Sequence, residues 1–465
     1  MGSGSRKRRH AIPYLSAAGL LAAMTMAAWH ASAYGQGAPL TLADAVAIAV
    51  RRSDGVRIAA LESEQAQAAV GSERSAYLPH LGITSGAGYS NRQNEKLRAL
   101  DANGNERVYG LQSIGMRNGW FNVEVEQLIV DIRRWRRIDQ RQLAAAAAAA
   151  AADEQGDAAA RDVTIAYANV LRAEALRALA AERVRQASWL DEQAALLLRA
   201  GRALAVEREQ IAIAAGEAAL EVRTRDDQVA HARAALQLAI GDPAVDVSRL
   251  DAASVPPPEP PPGDFASDAT LAATPALRVL ELRRRVEESG IGAARAERYP
   301  TIGVRAGYSN YGPHRYDNYT DEVGVHVAVE VPIFDGNRAA HDTAGASKAA
   351  EIARLRYAQA LADARTRVRD LANRLAAAGE RLAFAERRAA LSREQVRLVD
   401  LRLQAQRAAL AEAEAARAAF GRDAIAAIDA RWERVELWTA LMTESGHLLT
   451  MVGGDRRRGD QVEKP

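Results

Sequence analysis

Two kinds of hydrophobic pattern alternate along the chain. In 41–77, 131–241, 266–298 and 336–452, apolar residues recur at helical spacing in a sequence that is rich in Ala, Leu, Arg, Glu and Gln and nearly free of Pro. Such stretches predict long helices. A continuous helix over 131–199 would reach roughly 100 Å, because each residue adds about 1.5 Å. This length exceeds a globular core, so we expect the helices to lie side by side in a coiled-coil-like array.

Between these stretches lie four segments in which apolar and polar residues alternate with a period of two, at about 81–92, 119–130, 301–311 and 321–333. One face of each segment is apolar and the other is small, polar or charged, as in β-strands that separate two environments. Each has about the nine to eleven residues that a tilted strand needs to cross a bilayer. The residues that we predict to line the lumen of a barrel are Glu124, Glu126, Arg305, His326 and Glu330.

The second half of the chain repeats the layout of the first. The matching segments are Tyr77-Leu78-Pro79 and Tyr299-Pro300, Val130-Asp131 and Phe334-Asp335, and Ala200-Gly201-Arg202-Ala203 and Ala405-Gln406-Arg407-Ala408. Each half is therefore predicted to contain a helix, two strands and two long helices that meet at a turn. The long helices are expected at about 131–200, 204–241, 336–402 and 409–452.

The predicted organisation has five parts. They are a signal peptide at 1–33, a first repeat at 34–241, a proline-rich connector at 242–265, a second repeat at 266–453 and a tail at 454–465. The first part has a basic segment, an apolar segment and an Ala-x-Ala cleavage site, which is the pattern of an exported protein. The connector contains two proline triplets and cannot be helix or central strand.

Four strands cannot close a membrane barrel, because known barrels have at least eight strands and lipid does not tolerate open sheet edges. Several copies must therefore share one barrel: two copies would supply eight strands, and three would supply twelve. The sequence thus predicts an α+β membrane protein, in which each chain contributes four transmembrane strands and a set of long helices.

Composition excludes several kinds of chemistry. The 465 residues include no cysteine, which removes disulfides, thiolate nucleophiles, Cys-ligated zinc and lipidation of an N-terminal cysteine. Without the four basic residues of the predicted signal peptide, 57 basic residues stand against 59 acidic ones, so nothing favours nucleic acid as a partner. The sequence has no Walker loop, dinucleotide-binding glycine motif, zinc-protease motif or nucleophile elbow. We therefore predict no enzyme, no cofactor and no metal.

The order of these features resembles the TolC-like outer-membrane factor family over about 40–453. The resemblance rests on the signal peptide, the duplicated layout, the Tyr-Leu-Pro and Tyr-Pro segments before strands, Val331-Pro332-Ile333-Phe334-Asp335, and the Ala-Gly-Arg-Ala turn with its counterpart. It implies a homotrimer with a twelve-stranded barrel in the outer membrane of a Gram-negative bacterium and an α-helical barrel across the periplasm. Its implied partners are outer-membrane lipid, a periplasmic adaptor (membrane fusion protein) and an inner-membrane transporter.

The resemblance also implies roles at the periplasmic tip. The two turns that would contact the adaptor contain Gly201 and Arg202 in the first repeat and Gln406 and Arg407 in the second. Glu412 falls at the family's pore constriction and Glu207 at a closing contact, and Arg407 is a candidate substitute for a closing arginine. Gln406 departs from the family pattern, because a glycine is usual there. Without the resemblance, both glutamates would be read as part of a solvated helix face.

Two export functions remain open. In type I secretion the channel would pass an unfolded polypeptide, such as a toxin, from an ABC transporter to the medium. In a tripartite drug efflux pump it would serve an RND transporter. Many efflux members carry a lipidated N-terminal cysteine, which this chain lacks, so secretion is favoured. A purely structural periplasmic coiled coil would explain the helices but not the four amphipathic strands.

Overall fold

A computed structural model describes residues 39–92, 96–100, 103–110, 114–313 and 320–453. The predicted signal peptide and C-terminal tail lie outside the described residues. The first half contains α1 (Leu42–Arg52), α2 (Asp54–Ser75), β1 (His80–Arg92), β2 (Lys96–Leu100), β3 (Glu106–Gly110), β4 (Ile114–Asp131), α3 (Ile132–Arg199) and α4 (Ala205–Ile240). The second contains α5 (Asp268–Ala272), α6 (Pro275–Arg295), β5 (Thr301–Pro313), β6 (Thr320–Glu330), α7 (Arg338–Gln404), α8 (Leu410–Glu444) and α9 (Leu448–Val452).

The long strands form one antiparallel sheet in the order β1-β4-β5-β6. Strands β2 and β3, which follow β1 and precede β4 in the sequence, pair with each other in a separate two-stranded ribbon. The pairing of β4 with β5 joins the two repeats, with Glu126 opposite Arg305. Strands β1 and β6 are the two edges of the four-stranded sheet. Each therefore has one side without a strand partner among the described residues.

The helices continue the order of the strands to which they connect. Helix α2 leads into β1, α3 leaves β4, α6 leads into β5 and α7 leaves β6. These helices pack as α2-α3, α3-α6 and α6-α7, which is the strand order again. Further from the sheet the packed pairs are α3-α4, α3-α8 and α7-α8. One lateral side of the molecule therefore consists of β6 and α7, and the other of β1, α2 and α4.

Aspartates cap the first turns of the two longest helices, Asp131 at the end of β4 and Asp335 in the segment between β6 and α7. The side chain of Asp131 accepts a hydrogen bond from the backbone N–H of Arg134 at 3.2 Å, and Asp335 accepts one from Ala339 at 2.8 Å. Both carboxylates satisfy a backbone donor that the first turn leaves free. The Val-Asp and Phe-Asp pairs of the sequence repeat are thus helix-start signals.

The main apolar core lies where the N-terminal segment, the connector and the long helices meet. Tyr167 of α3 is fully buried there, and its hydroxyl donates to the carbonyl of Leu40 at 2.7 Å and contacts that of Asp251 at 2.9 Å. Burial raises the pKa of the Tyr167 hydroxyl, so it stays protonated and available as a donor. The connector is therefore tied to the helices rather than free.

Five element bounds differ from the sequence-based expectation. The helix expected over 266–298 is interrupted at Ala273 and Thr274, between α5 and α6. The first helical stretch divides at Ser53, whose side chain accepts from the backbone N–H of Val56 at 3.4 Å and starts a new helix. The fourth strand ends at Glu330, because Pro332 cannot donate to a sheet. The second strand begins at Ile114 rather than near 119. The last helix ends at Glu444, before Gly446 with φ 73°, and a short helix follows it.

Candidate transport path: the sheet and the helical tip

The sheet separates an apolar face from a polar one. On β6 the side chains of Val323, Val325, Val327 and Val329 are 60% to 80% exposed. Leu81 and Ile83 of β1 are similarly exposed, at 68% and 64%. Such a contiguous exposed apolar surface is unfavourable in water and needs an apolar environment to cover it. This face has the character of a surface that contacts lipid hydrocarbon.

The opposite face carries the charged residues predicted to line a lumen. Glu126 and His326 both stand opposite Arg305 in the strand register. Nε of Arg305 donates to Glu126 at 2.7 Å, and the guanidinium also pairs with Glu124. The structure thus brings four of the five predicted lumen residues into one cross-strand group. Glu330 shares their face at the end of β6 nearest the helices.

The far end of the molecule consists of two turns with matching hydrogen bonds. In the first, the N–H of Arg202 donates to the carbonyl of Leu197 at 2.8 Å, and Gly201 has φ 68°. In the second, the N–H of Arg407 donates to the backbone carbonyl of Arg402 at 2.7 Å, and Gln406 has φ 59°. This is the pattern in which a helix ends at a residue in the left-handed region. The two repeats therefore close their hairpins in the same way, although the residue at this position differs.

The predicted gate residues occupy equivalent positions but make different contacts. The carboxylate of Glu207 accepts the backbone N–H of Leu204 at 2.9 Å and so caps α4. Glu412, at the same place in α8, instead pairs with Arg402 across the turn at 2.6 Å. Arg407 is exposed. A role for any of the three in a closed pore stays a prediction.

Arg402 is a residue that the sequence reasoning did not single out. It lies ten positions before Glu412, and only the turn between α7 and α8 brings the two together. Its Nη2 also approaches the carbonyl of Arg407 at 3.4 Å. The side chain thus closes the turn and neutralises the predicted constriction acid.

A buried arginine joins three helices behind the tip. Arg417 of α8 is 9% exposed, pairs with Asp400 of α7 at 2.6 Å and lies 5.2 Å from the ring of Trp189 of α3. Burial lowers the pKa of the Arg417 guanidinium, and Asp400 opposes that shift. Arginine keeps its charge under all ordinary conditions, so a buried guanidinium cation lies here beside the partly buried Asp400. This group fixes the α7-α8 hairpin against α3.

Among the residues that the structure describes, no group of His, Asp and Glu side chains could hold a metal ion. The same residues include no helix long and apolar enough to span a bilayer. The two features that stand out are the amphipathic sheet and the helical tip.

The amphipathic sheet and the helical tip together define a membrane channel with a long helical extension. The chain belongs to the outer membrane efflux protein family, whose model matches residues 46–242 and 266–447. This confirms the predicted family and an outer-membrane location, and makes the protein a channel component rather than an enzyme. No curated protein matches the chain.

Solved structures confirm the α+β fold. A membrane protein from Pseudomonas aeruginosa is 19% identical with a TM-score of 0.72, covering 87% of this chain and 90% of that one. The outer membrane protein VceC from Vibrio cholerae is 15% identical with a TM-score of 0.70 over 87% and 96%. The MtrE outer membrane channel of Neisseria gonorrhoeae, in its open state, is 19% identical with a TM-score of 0.71 over 88% and 89%. The fold therefore spans nearly the full length of these proteins.

Proposed function

We propose that the protein is a homotrimeric channel-tunnel that carries cargo from an inner-membrane transporter and its periplasmic adaptor to the outside of the cell. The sheets of three copies would form a twelve-stranded barrel in the outer membrane. Their helices would form a continuous tunnel across the periplasm. Gly201, Arg202, Gln406 and Arg407 would face the adaptor at the tip.

The observation that carries this proposal is the four-stranded sheet with two open edges and an exposed apolar face. Lipid hydrocarbon offers no hydrogen-bond partner to the free N–H and C=O groups of an edge strand, so an open sheet cannot span a bilayer alone. Pairing of β1 in one copy with β6 in the next removes both edges when the ring closes. Because the two edges are different surfaces, the assembly is head-to-tail and cyclic.

The helices support the same head-to-tail contact. On α4, Val206 and Ile213 are 67% and 55% exposed, and Leu220 continues the row at the same spacing of seven. On α7, which lies on the other lateral side, Phe384, Leu391 and Leu398 form a second exposed row at that spacing. Apolar rows of this period pack between neighbouring helices. Each copy therefore presents one row to the copy on either side.

The cargo that we favour is a polypeptide secreted by a type I system with an ABC transporter. The 465 residues contain no cysteine, whereas many drug efflux members carry a lipidated one. The alternative is the outer component of a drug efflux pump with an RND transporter, and the family's description as efflux proteins favours it. Both functions use the same trimer and tip.

The deciding experiment compares the parent strain with a deletion of this gene in two assays. Loss of one large polypeptide from the medium, with that polypeptide retained in the cell, would support type I secretion. Unchanged medium together with increased drug sensitivity would support efflux. Complementation with the intact gene is the control.

Purified protein should run as a heat-resistant trimer and conduct ions in a planar bilayer. A non-conducting monomer would contradict both functions.

A further inference from the structure

Trp120 carries an aromatic ring on the face of the sheet that holds the predicted lumen residues. It precedes Glu124 by four positions on β4, and the pairing with β1 and β5 is regular between them. Because side chains alternate between the two faces of a strand, Trp120 and Glu124 share a face. Phe121, the next residue, points to the apolar face. Trp120 is 43% exposed, so part of its ring is open on the polar face.

The ring lies flat against β1 at a point where that strand has no side chain. Trp120 stands opposite Gly86 in the strand register. A Cβ atom on Gly86 would lie 2.6 Å from Cη2 of the indole and 2.7 Å from Cε2, and closest to Cζ2, the atom between them. A point beyond the edge of the ring would be much further from the two flanking atoms, so this point lies above the ring plane. One face of the indole therefore covers the Gly86 backbone, and the other face is open.

A row of polar side chains crosses the same face next to the ring. Asn122 of β4 stands opposite Thr84 of β1 and Ser309 of β5, and Ser309 stands opposite Glu322 of β6. We call these four residues the polar row. None of them has a hydrogen-bond or ion-pair partner for its side chain within the described part of the chain. Neighbouring strands are about 4.8 Å apart, so the polar row spans about 14 Å with its donors and acceptors free.

An open aromatic face beside free hydroxyl, amide and carboxylate groups suits a sugar. A pyranose ring has C–H groups on one face and hydroxyl groups around its rim. The C–H groups carry partial positive charge and stack on the negative face of an aromatic ring. The hydroxyl groups both donate and accept hydrogen bonds, as Thr84, Asn122 and Ser309 also do. A planar aromatic ligand would use the indole but leave the polar row without partners, and a cation would find Glu322 three strands away from β1.

We propose that Trp120 and the polar row bind oligosaccharide inside the barrel. This inference rests on the proposed function, because it places the site in the path of the cargo and adds saccharide to the molecules that the lumen contacts. Three copies would present three such sites at one height of the lumen. Each site is shallow and exposed, so it binds weakly and releases its ligand, as a conducting path requires.

Saturation-transfer difference NMR of the purified protein with maltohexaose tests the site, in a detergent whose head group is not a sugar. The parent should transfer saturation to the C–H protons of the sugar. Trp120→Ala should raise the Kd about fivefold, which is the effect of losing one stacked ring. Asn122→Ala removes the central member of the polar row and should raise the Kd by a similar factor.

A matched pair of glycine variants moves the ring without removing it. In Gly86→Ala the new methyl group overlaps the indole, which is a movable side chain, so the ring must leave its place on β1. In Gly82→Ala, on the same face of β1, the methyl group would meet only the carbonyl of Glu124, at 4.0 Å. Gly86→Ala should therefore weaken binding as Trp120→Ala does, and Gly82→Ala should bind as the parent does.

A ring that only covers the glycines of an edge strand predicts a different pattern. Trp120→Ala and Gly86→Ala would then lower the temperature at which the trimer separates on a gel, and the binding of maltohexaose by intact trimers would not change. That result would overturn the site. Binding of ethidium but not of maltohexaose would also overturn it, because the ring would then serve a planar aromatic ligand.

Ion conductance of the same preparations in a planar bilayer tests the proposed function separately. Sugar binding that depends on Trp120 in a protein that does not conduct would reject the proposed function and leave the site established. Conduction without such binding would overturn the site alone.

Discussion

At the residue scale, the pairing of Glu412 with Arg402 decides what charge the tip presents. The carboxylate that would form an acidic ring in a trimer is held by a guanidinium at 2.6 Å. An acidic ring selects cations by its negative charge, and a paired carboxylate exerts less of that effect. The charge at the predicted constriction therefore depends on Arg402.

Replacing Arg402 should unmask this charge. Arg402→Gln should strengthen cation preference and block by multivalent cations about two- to threefold, the size expected for an exposed ion pair. Glu412→Gln should weaken both, and the double variant should resemble Glu412→Gln. Single-channel recording with added multivalent cation measures the effect. Arg397→Gln, which breaks the Arg397–Glu394 pair on α7, is the control. Identical block in the parent, the two single variants and the double variant would place Glu412 away from the ion path.

Asp335 predicts a defined response to acid. The backbone N–H of Ala339 donates to its carboxylate, and this hydrogen bond holds the pKa of Asp335 below its usual value. A depressed pKa means that the ionised carboxylate stabilises the fold above about pH 4 and loses this effect as the pH falls through the lowered pKa. The melting temperature of the parent should therefore exceed that of Asp335→Asn at neutral pH, and the difference should shrink in acid. A difference that is independent of pH would contradict the assignment.

At the element scale, periodicity predicted the type of each long element but not the contacts at its ends. Alternation in 321–333 and helical spacing in 336–402 are long-range patterns that one residue does not erase. The pattern does not predict the break at Ser53. Serine is tolerated within a helix, and it caps a new helix only where the backbone leaves the helical conformation, as it does at Ser53. The Arg402–Glu412 pair depends on how one turn folds. Gln406 was noted as a departure from glycine, but only the structure shows that the turn keeps its left-handed residue.

The sheet offers a test of which face meets lipid. Val327 is 66% exposed on the apolar face, and Ala328 follows it on the other. Val327→Arg should cost about 2–4 kcal/mol of stability in the membrane, because the charge would enter hydrocarbon. Ala328→Arg should fold but alter ion selectivity. Urea titration of protein in lipid vesicles measures the first effect and bilayer recording the second. Equal destabilisation by both changes would contradict an open lumen beside Ala328.

At the scale of the whole molecule, every element on one lateral side has an unpaired surface that the opposite side can cover. The edge of β6 and the exposed row on α7 lie on one side, and the edge of β1 and the row on α4 lie on the other. Backbone pairing and helix packing would therefore close the same proposed ring. Within one copy, Ile211 of α4 is 3% exposed and packs in a cluster with residues of α3, α7 and α8, whereas Ile213 is 55% exposed. The helix thus separates residues that fold the chain from residues that we propose to join copies.

Ile213→Asp should weaken assembly without unfolding the hairpin. The charge would enter the contact between copies, where no partner in the same chain compensates it. The temperature at which the trimer separates on a gel should fall, while the helical circular dichroism at room temperature should not change. Leu391→Asp on α7 should have the same effect from the other side of the contact. Ala219→Asp places the same charge on an exposed part of α4 outside the row and should leave the trimer intact. If Ala219→Asp separates the trimer as readily as Ile213→Asp, the rows are not the surface that joins the copies.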